Sequence, residues 1–600
     1  MFRKPLVVGL AMAGALAFNP ASGAMKAGEY LDGLWFSPSE SGRGISVDFI
    51  PIGPGGGQIF GAVFSFDDGG NNEWVTIQAG IEEHQFTGTG DLFVTTGGSF
   101  GFPFSTPQTV DIGDVTVTLN HCTSVEFDLD IVAEGTGYED VTLDLIPLSG
   151  AASNQCVYEE AFTACPDFAR DSGTGLRECL VSGQILDQDI TLTNDITWVL
   201  DGLLEIGAPN ANASTLHVEP GTVITSVPDT NNTFIYVHAG SEIQANGLPY
   251  APIVWTSAFD GFGPDDGGNP QPGDTGGLAV AGLAPCNSAP GVELGCFSEF
   301  ASAGQVLPYG GTDENDSSGS ITYMQIRYAG IVVGVDAEVN TFSFLAVGRG
   351  TRVEYIQAYR SLDDGLEAFA GNVNIKYYTA VDGLDDYFDW DEGWSGQAQF
   401  GMLVVNDEPG SGAGFEGANN GDAFDALPRA TPIFSNYTVV SRNDTDDAAF
   451  LLKEGTGAQI WNSIGSGYGG QCVLIEDQAT ITAAGPAATP TGTIAFAGTF
   501  VNDCATLFES SDQPGYAEAL FNSPAFLGTN STANPMLDPV TLQPMDGSPV
   551  LNSAVPVFDL AEGLGSDNNQ FFTPTNYSGA FGQGTPWIDG WTYDPYGTAN

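Results

Sequence analysis

The sequence predicts an all-β protein in which a small antiparallel β domain precedes a parallel β-helix. Three observations support this fold class. The chain contains 80 glycines and 35 prolines among many Thr, Val, Ile and Phe residues, which indicates short strands joined by tight turns. Hydrophobic residues make up 42% and charged residues 15% of the chain, a composition that is typical of a folded protein. Beyond position 320, groups of short strands recur about every 20 to 24 residues, as the windings of a solenoid do.

Residues 1–24 have the features of a secretory signal peptide. Arg3 and Lys4 precede an apolar stretch that ends at Phe18, and small residues continue to Ala24. We expect cleavage after Ala24 and a mature protein that is secreted or held at the cell surface, with the periplasm as the alternative. No later apolar run in the sequence is long enough to span a bilayer.

Residues 25–160 predict the antiparallel β domain. Segments such as GISVDFI (44–50) and VEFDLDIV (125–132) alternate apolar and polar residues between Gly, Pro and Asp turns. Trp35 and Trp74 are candidate contacts for sugar rings, although a buried structural role is more common for such side chains.

Eight cysteines, an even number in a chain expected to leave the cytoplasm, favour disulfide bonds. None of them forms a CxxC pair of the kind that binds zinc. We predict sequential pairing: Cys122 with Cys156, Cys165 with Cys179, Cys286 with Cys296, and Cys472 with Cys504. The second pair would clip a connector at residues 161–184, and the β-helix would extend over residues 185–600.

Alternation along two neighbouring strands of the solenoid predicts which side chains fill its core. Val353, Tyr355, Val373 and Ile375 are expected on the inner face of their strands. Glu354, Asn374 and Lys376 are expected on the outer face.

Two acidic turns repeat at an offset of 22 residues, from 363 to 385. They lie in the segments SLDDGLEAFAG (361–371) and VDGLDDYFDWDEG (381–393). In a parallel β-helix this offset equals one winding, so matching acids would stack at the strand spacing of about 4.8 Å. The expected pairs are Asp363 with Asp385, Asp364 with Asp386, and Glu367 with Asp389.

Stacked carboxylates need a counter-charge. At an effective dielectric constant of about 20, two of them about 5 Å apart repel by roughly 3 kcal/mol. Calcium would relieve this repulsion, since it binds clustered carboxylates and turn carbonyls, and the absence of Cys and His from this stretch disfavours zinc. The predicted calcium ligands are Asp363, Asp364, Glu367, Asp382, Asp385, Asp386, Asp389 and Asp391. The alternative is that these acids extend into solvent without a metal.

From about Ile190 onward the chain resembles a group of secreted bacterial proteins with a pectin-lyase-like right-handed β-helix. The segments DITWVLDGLLEI, HVEPGTVI and VEYIQAYRSLDDGLEAFAG carry this resemblance. LQPMDGSPVLNSA (542–554) is similar to the closing winding of many such helices. The motif DGLWFSPSESGRGISVDF, which starts at Asp32, resembles a small domain found in secreted proteins of Gram-negative bacteria. These resemblances imply the fold and an extracellular location, but no particular activity.

The net charge of −61 disfavours nucleic acids and anionic membranes as partners. The leading hypothesis is a secreted, calcium-stabilised β-helix scaffold that binds an extracellular polysaccharide or contributes to a cell-surface layer. The alternative is a polysaccharide lyase or glycoside hydrolase, because fold alone does not determine function. Its catalytic groups would be Asp363, Asp364, Asp385 and Asp386 together with Arg360 or Lys376. The Gly-His-Gly motif of polygalacturonase-like hydrolases is absent from the sequence.

Overall fold

The computed structural model of the chain describes residues 24–25, 27–38, 43–52, 56–66, 72–81, 85–96, 108–121, 124–132, 140–148, 158–159, 164–174, 177–209, 211–227, 233–260, 269–297, 307–334, 337–405, 411–442, 447–526, 529–556 and 571–597. Residues 1–23 of the predicted signal peptide, the predicted pair of Cys122 and Cys156, and the side chain of Trp74 lie outside the described residues.

Within the described residues, eight antiparallel strands close into a barrel in the N-terminal part of the chain. The strands are Gly33–Phe36, Gly44–Ile52, Gly56–Phe66, Asn72–Ile81, Thr87–Thr96, Gln108–His121, Ser124–Ile131 and Val141–Pro147. Alternate side chains such as Val115, Val117 and Leu119 fill the interior, as the period of two requires. Trp35 is buried and its indole N–H donates to the Leu31 carbonyl over 2.7 Å, so Trp35 has a structural role.

The remainder of the chain forms a parallel β-helix, as predicted. In chain order its strands are Glu178–Ile185, Ile190–Leu192, Thr197–Ile206, Thr215–Val218, Val223–Ser226, Ile235–Val237, Glu242–Asn246, Ile253–Trp255, Leu278–Ala281, Gly319–Arg327, Phe342–Leu345, Arg352–Tyr359, Leu366–Phe369, Asn374–Val381, Phe388–Asp391, Gln397–Val405, Phe415–Gly417, Ile433–Ser441, Phe450–Leu452, Ala458–Trp461, Ile464–Ser466, Gln471–Ile475, Ile494–Ala497, Phe500–Asn502 and Thr506–Ser510. The first of these strands begins inside the segment 161–184. The helices among the described residues are the short 3-10 turns Glu29–Leu31 and Pro524–Phe526, α1 (Gln478–Ala484) and α2 (Tyr516–Phe521), and none could cross a membrane.

Each winding of the β-helix crosses three faces. In the winding that starts at residue 352, face 1 contains residues 352–354, face 2 contains 356–359 and face 3 contains 366–369, and residue 374 returns to face 1. Each strand pairs in parallel with the equivalent strand of the next winding. Inner rows such as Val353, Ile375 and Ala398 are therefore stacked in register and fully buried.

A single residue with positive φ makes the corner between faces 1 and 2. Tyr323, Tyr355, Tyr377 and Phe400 occupy this corner in successive windings with φ between 48° and 63°. The left-handed conformation costs roughly 1–2 kcal/mol for a non-glycine residue. Stacking compensates for this cost, since the ring centroids lie 4.4, 4.2 and 5.0 Å apart along the row.

The corner overturns one expectation about the core. Val353, Val373 and Ile375 are buried inside the helix as predicted, but Tyr355 is only partly buried and points outward into the aromatic row. Alternation fails at Tyr355 because a residue with φ of 56° interrupts the extended backbone that a period of two assumes.

A C-terminal segment, residues 571–597, runs back along the outside of this corner and of face 2; we call it the strap. Trp591 packs edge-on against Tyr323 and Tyr355, and its carbonyl accepts a hydrogen bond from Gln325. The Tyr593 carbonyl accepts from Gln357 over 2.7 Å. The strap therefore covers the outer side of the aromatic row and of face 2.

Residues 542–554, which resemble a closing winding, also lie along the side of the helix. Leu542 packs with Met402 and Val440, and Val550 packs with Ile464 and Phe500, all on the outer surface of face 2. The last winding instead ends at Thr506–Ser510. Helix α2 covers this end, where Phe521 contacts Phe496 and Phe508 at ring distances of 5.5 and 5.0 Å.

Three of the predicted disulfide bonds are present among the described residues. They join Cys165 to Cys179, Cys286 to Cys296, and Cys472 to Cys504. The first fastens residues 165–179 to the N-terminal end of the helix, where Phe168 stacks on Trp198 at 5.7 Å.

Candidate metal centre

Six acidic residues of the two predicted turns lie together on face 3 and in the turns that lead into it: Asp363, Asp364, Glu367, Asp385, Asp386 and Asp389. Glu367 and Asp389 are neighbours in register on adjacent strands, as the offset of 22 predicts, and Asp389 is in turn a neighbour of Glu416. The doublets at 363–364 and 385–386 occupy the preceding turns of the same two windings. We call these seven acids the carboxylate stack: Asp363, Asp364, Glu367, Asp385, Asp386, Asp389 and Glu416.

Two groups of oxygen atoms within the stack are close enough to hold a cation. One oxygen each from Asp363, Asp364 and Asp385 lie within 4.8 Å of one another. One oxygen each from Asp364, Glu367 and Asp389 satisfy the same condition, so Asp364 belongs to both groups. Asp364 and Glu367 are 7% exposed, whereas Asp385 faces solvent, so the stack is buried on one side and open on the other.

Hydrogen bonds from the backbone and from one amide side chain position these acids. The Asp386 N–H donates to Asp364 Oδ1 over 3.1 Å, which ties the two windings together. Asn340 donates from Nδ2 to Glu367 Oε2 over 2.6 Å and accepts from the Asp364 N–H over 3.2 Å. The Ala413 N–H donates to Asp386 Oδ1.

Glycine allows one turn to approach the acids closely. A Cβ atom at Gly412 would lie 2.3 Å from Asp386 Oδ1 and 2.8 Å from Asp385 Oδ1. Any larger residue at Gly412 would therefore displace the two carboxylates.

Burial raises the pKa of every carboxyl group in the stack for which a shift is resolved. Burial and the nearby Asp385 and Glu338 carboxylates raise the pKa of Asp363 to about 7. Burial, followed by repulsion from Asp363 and Asp386, raises the pKa of Asp364 well above its ordinary value. Burial and then Glu416 do the same for Asp386 and Asp389. These groups are destabilising when they are ionised without a counter-ion.

Lys453 is the cation that contacts the stack among the described residues. Its ammonium group forms an ion pair with Glu416. Burial favours the neutral form of Lys453, but the Glu416 carboxylate outweighs this effect and raises the pKa of Lys453. A single ammonium group cannot neutralise the seven carboxyl groups of the stack when these are ionised.

Arg360 and Lys376, the two cations predicted to act with these acids if the protein is an enzyme, lie away from the carboxylate stack. Lys376 is on the outer side of face 1, where its ammonium group donates to Thr573 Oγ1 over 3.0 Å and lies 4.9 Å from the Phe571 ring centre. Arg360 interacts with Tyr359 at the end of face 2. The structure therefore does not bring Arg360 or Lys376 to the carboxylate stack, because their strands belong to other faces of the helix.

Two predicted ligands lie beside the stack and not within its oxygen groups. Asp382 interacts with Tyr359 and Arg442 on the side of the strap. Asp391 lies at the far end of its strand, where burial and the Glu392 and Glu454 carboxylates raise its pKa to about 7, and Asp391 in turn helps to raise the pKa of Asp389.

Sequence reasoning missed Glu416, Lys453 and Asn340. Glu416 follows Asp389 by 27 residues instead of 22, because Val405 and Phe415 are further apart in sequence than Val381 and Phe388, the corresponding strand ends of the preceding winding. The fixed offset that identified the other acids could not find it. A weaker signal exists for two of them: Glu416 lies within a short strand of a later winding, and Lys453 directly follows another one.

The stacked windings define the class of this protein as a parallel β-helix with an acidic row on one face. The family of pectate-lyase-like β-helix domains matches residues 183–534, which is more than half of the chain, and the protein belongs to this family. No curated protein and no solved structure matches the chain.

Proposed function

We propose that this protein is an extracellular, calcium-stabilised β-helix scaffold that binds polysaccharide and does not cleave it. The observation that carries the proposal is the carboxylate stack, in which two sets of three acids have oxygens within 4.8 Å. The stack sits at a fixed register of the helix, so any ion that it holds would fasten neighbouring windings to each other.

The donor set fits calcium. All the candidate ligands are carboxylate oxygens, which calcium prefers, and no Cys or His lies among them. A pair of charges about 5 Å apart repels by roughly 3 kcal/mol at an effective dielectric constant of about 20. Several such pairs would offset much of a typical net stability of about 5–15 kcal/mol, so bound calcium would be a large part of the stability of this helix.

The alternative of a lyase at the same acids is less well supported. A lyase needs a base that accepts a proton, and Lys453 is the available amine at the stack. Because Glu416 raises the pKa of Lys453, this amine stays protonated at neutral pH.

A glycoside hydrolase is disfavoured for a different reason. Its two carboxyl groups must lie on either side of a glycosidic bond, at least about 5 Å apart. Oxygens of three of the four candidate carboxylates, Asp363, Asp364 and Asp385, lie instead within 4.8 Å of one another, closer than that arrangement requires.

The proposal is tested by thermal unfolding of the purified protein in calcium, in magnesium and in a chelator. We expect calcium to raise the melting temperature, magnesium to have a smaller effect, and the chelator to reverse both. Incubation with uronate-rich and neutral polysaccharides should give binding without new chain ends. An unchanged melting temperature would contradict the calcium part of the proposal, and chain cleavage abolished by Asp386→Asn would contradict the scaffold part.

A further inference from the structure

A cleft of about 660 Å³ lies on a different side of the helix from the carboxylate stack. It follows the turns from face 3 to face 1 and opens onto the outer side of face 1. Gln397, Ile433 and Gln459 are register neighbours in successive windings and form its floor, and Asn374 precedes them in the same row. At a strand spacing of about 4.8 Å, these four windings give a floor of about 15 Å.

The walls of the cleft come from loops that are fastened to each other. Pro285 lies next to the disulfide-bonded Cys286. Two residues further on, Asn287 donates from its side-chain amide to the Asn419 carbonyl over 2.7 Å and to the Pro428 carbonyl over 3.3 Å. Pro285 and Pro428 both line the cleft, so this network holds one wall in place before any ligand arrives, which lowers the entropy lost on binding.

The cleft is nearly free of net charge. Glu314 and Arg349 are the charged side chains among its lining residues, and they form an ion pair with each other. The remaining polar lining consists of amides and hydroxyls, with the aromatic ring of Phe571 at one side. On a chain with a net charge of −61, a neutral cleft selects against polyanions, because the surrounding field repels them and the one cation among the lining residues, Arg349, is paired with Glu314.

Polar groups that line the cleft remain available to a ligand. No other described residue forms a hydrogen bond with the side-chain amide of Gln397, while its backbone N–H donates to Asn374 Oδ1 over 2.9 Å. Asn372 accepts the Arg349 N–H through Oδ1 over 3.1 Å, and this directs its NH2 group away from Arg349. Amide groups that both donate and accept suit the hydroxyl groups of sugars.

We infer that this cleft binds an uncharged oligosaccharide segment, with its hydroxyls on the amides of face 1 and an apolar sugar face toward Phe571. This inference rests on the proposed function and adds to it both the binding site and the chemical class of the ligand. The ligand would lie along the helix axis and contact several windings at once.

The test is calorimetric titration of the calcium-loaded protein with cellohexaose, xylohexaose, mannohexaose and hexagalacturonate. The variants are Gln397→Ala and, as a matched control, Gln244→Ala, which removes an outward-facing glutamine from the same strand row outside the cleft. We expect at least one neutral oligosaccharide to bind, Gln397→Ala to weaken it about five- to tenfold, and Gln244→Ala to leave its affinity unchanged.

Each other outcome overturns the inference in a distinguishable way. Neutral binding that is unaffected by Gln397→Ala removes the cleft as the site but leaves the proposed function standing. Tighter binding of hexagalacturonate than of any neutral oligosaccharide overturns the chemical class. Binding of none of the four removes both the cleft and the polysaccharide part of the proposed function, while the calcium measurement remains a separate test.

Discussion

At the scale of single residues, Asp364 is central to the carboxylate stack. It belongs to both groups of close oxygens, and it accepts a hydrogen bond from the backbone of the next winding. Without a cation its buried charge is repelled by Asp363 and Asp386. With a shared cation the same charge would stabilise the fold, so the effect of Asp364 on stability should change sign with calcium.

We therefore predict opposite effects of Asp364→Asn in the two conditions. In chelator the variant should melt about 3–6 °C higher than the parent protein, since it loses a buried repulsive charge. In calcium it should gain much less stability than the parent protein, since it has lost a shared ligand. Differential scanning calorimetry in both buffers measures the two effects.

Asp382→Asn is the matched control for this comparison. Asp382 lies in the second acidic turn, in the next winding, but interacts with Tyr359 and Arg442 on the strap side of the helix. Its substitution should leave the calcium-induced rise in melting temperature unchanged. A lower melting temperature of Asp364→Asn in chelator, or an equal loss of calcium response in Asp382→Asn, would refute the assignment.

The residue scale also shows where sequence reasoning works in this fold. The pairing of Glu367 with Asp389 was predictable because both windings have the same length. Glu416 was not predictable in this way because an insertion changes the winding length, although the parallel pairing continues without interruption.

At the scale of elements, the strap covers part of the outer surface of the β-helix. Trp591 is buried although it lies outside the helix core, because it packs on the aromatic row formed by Tyr323 and Tyr355. Arg327 lies over the Tyr593 ring at 3.8 Å and pairs with Asp260 at 3.1 Å, so the strap also covers a buried cation.

We predict that Trp591→Ala lowers the free energy of unfolding by about 3–5 kcal/mol, the usual cost of removing a buried tryptophan side chain. Urea unfolding followed by circular dichroism measures this loss, and limited proteolysis should show cleavage within 571–597 in the variant. Trp591→Phe, which keeps a ring against the tyrosines, should lose less. Equal stability of the alanine variant and the parent protein would show that the strap does not stabilise the helix.

The strap could not be predicted from the sequence for a physical reason. Residues 571–597 contain no strand periodicity, and several of their contacts are with residues far earlier in the chain, such as that of Arg442 with the Tyr596 carbonyl, 154 positions away. The outward position of Tyr355 depends on a left-handed backbone at one residue, which no pattern of apolar residues encodes.

At the scale of the whole molecule, the stability of the helix should depend on pH in an unusual direction. Carboxyl groups with a raised pKa bind more protons in the folded state than in the unfolded state, so stability falls as pH rises. For Asp363 and Asp391 this loss develops from about pH 4, near their ordinary pKa, to above their folded pKa of about 7.

We predict that, in chelator, the protein melts at a higher temperature at pH 5 than at pH 8. Calcium binds the ionised groups, so the rise in melting temperature that it produces should be larger at pH 8 than at pH 5. Thermal melts at both pH values, with and without calcium, test the prediction at constant ionic strength. A chelated protein that is more stable at pH 8 would show that the stack does not dominate the pH dependence.

Both ends of the helix are covered. Thr506–Ser510 would otherwise present unpaired N–H and C=O groups, but α2 lies over it and the Ala517 N–H donates to Ser510 Oγ over 2.9 Å. At the opposite end, the short strand Arg170–Asp171 pairs with Glu178–Ile185 in the antiparallel direction. These contacts occupy part of the terminal strand at each end, which hinders a second copy from extending the solenoid end to end into fibrils at high local concentration.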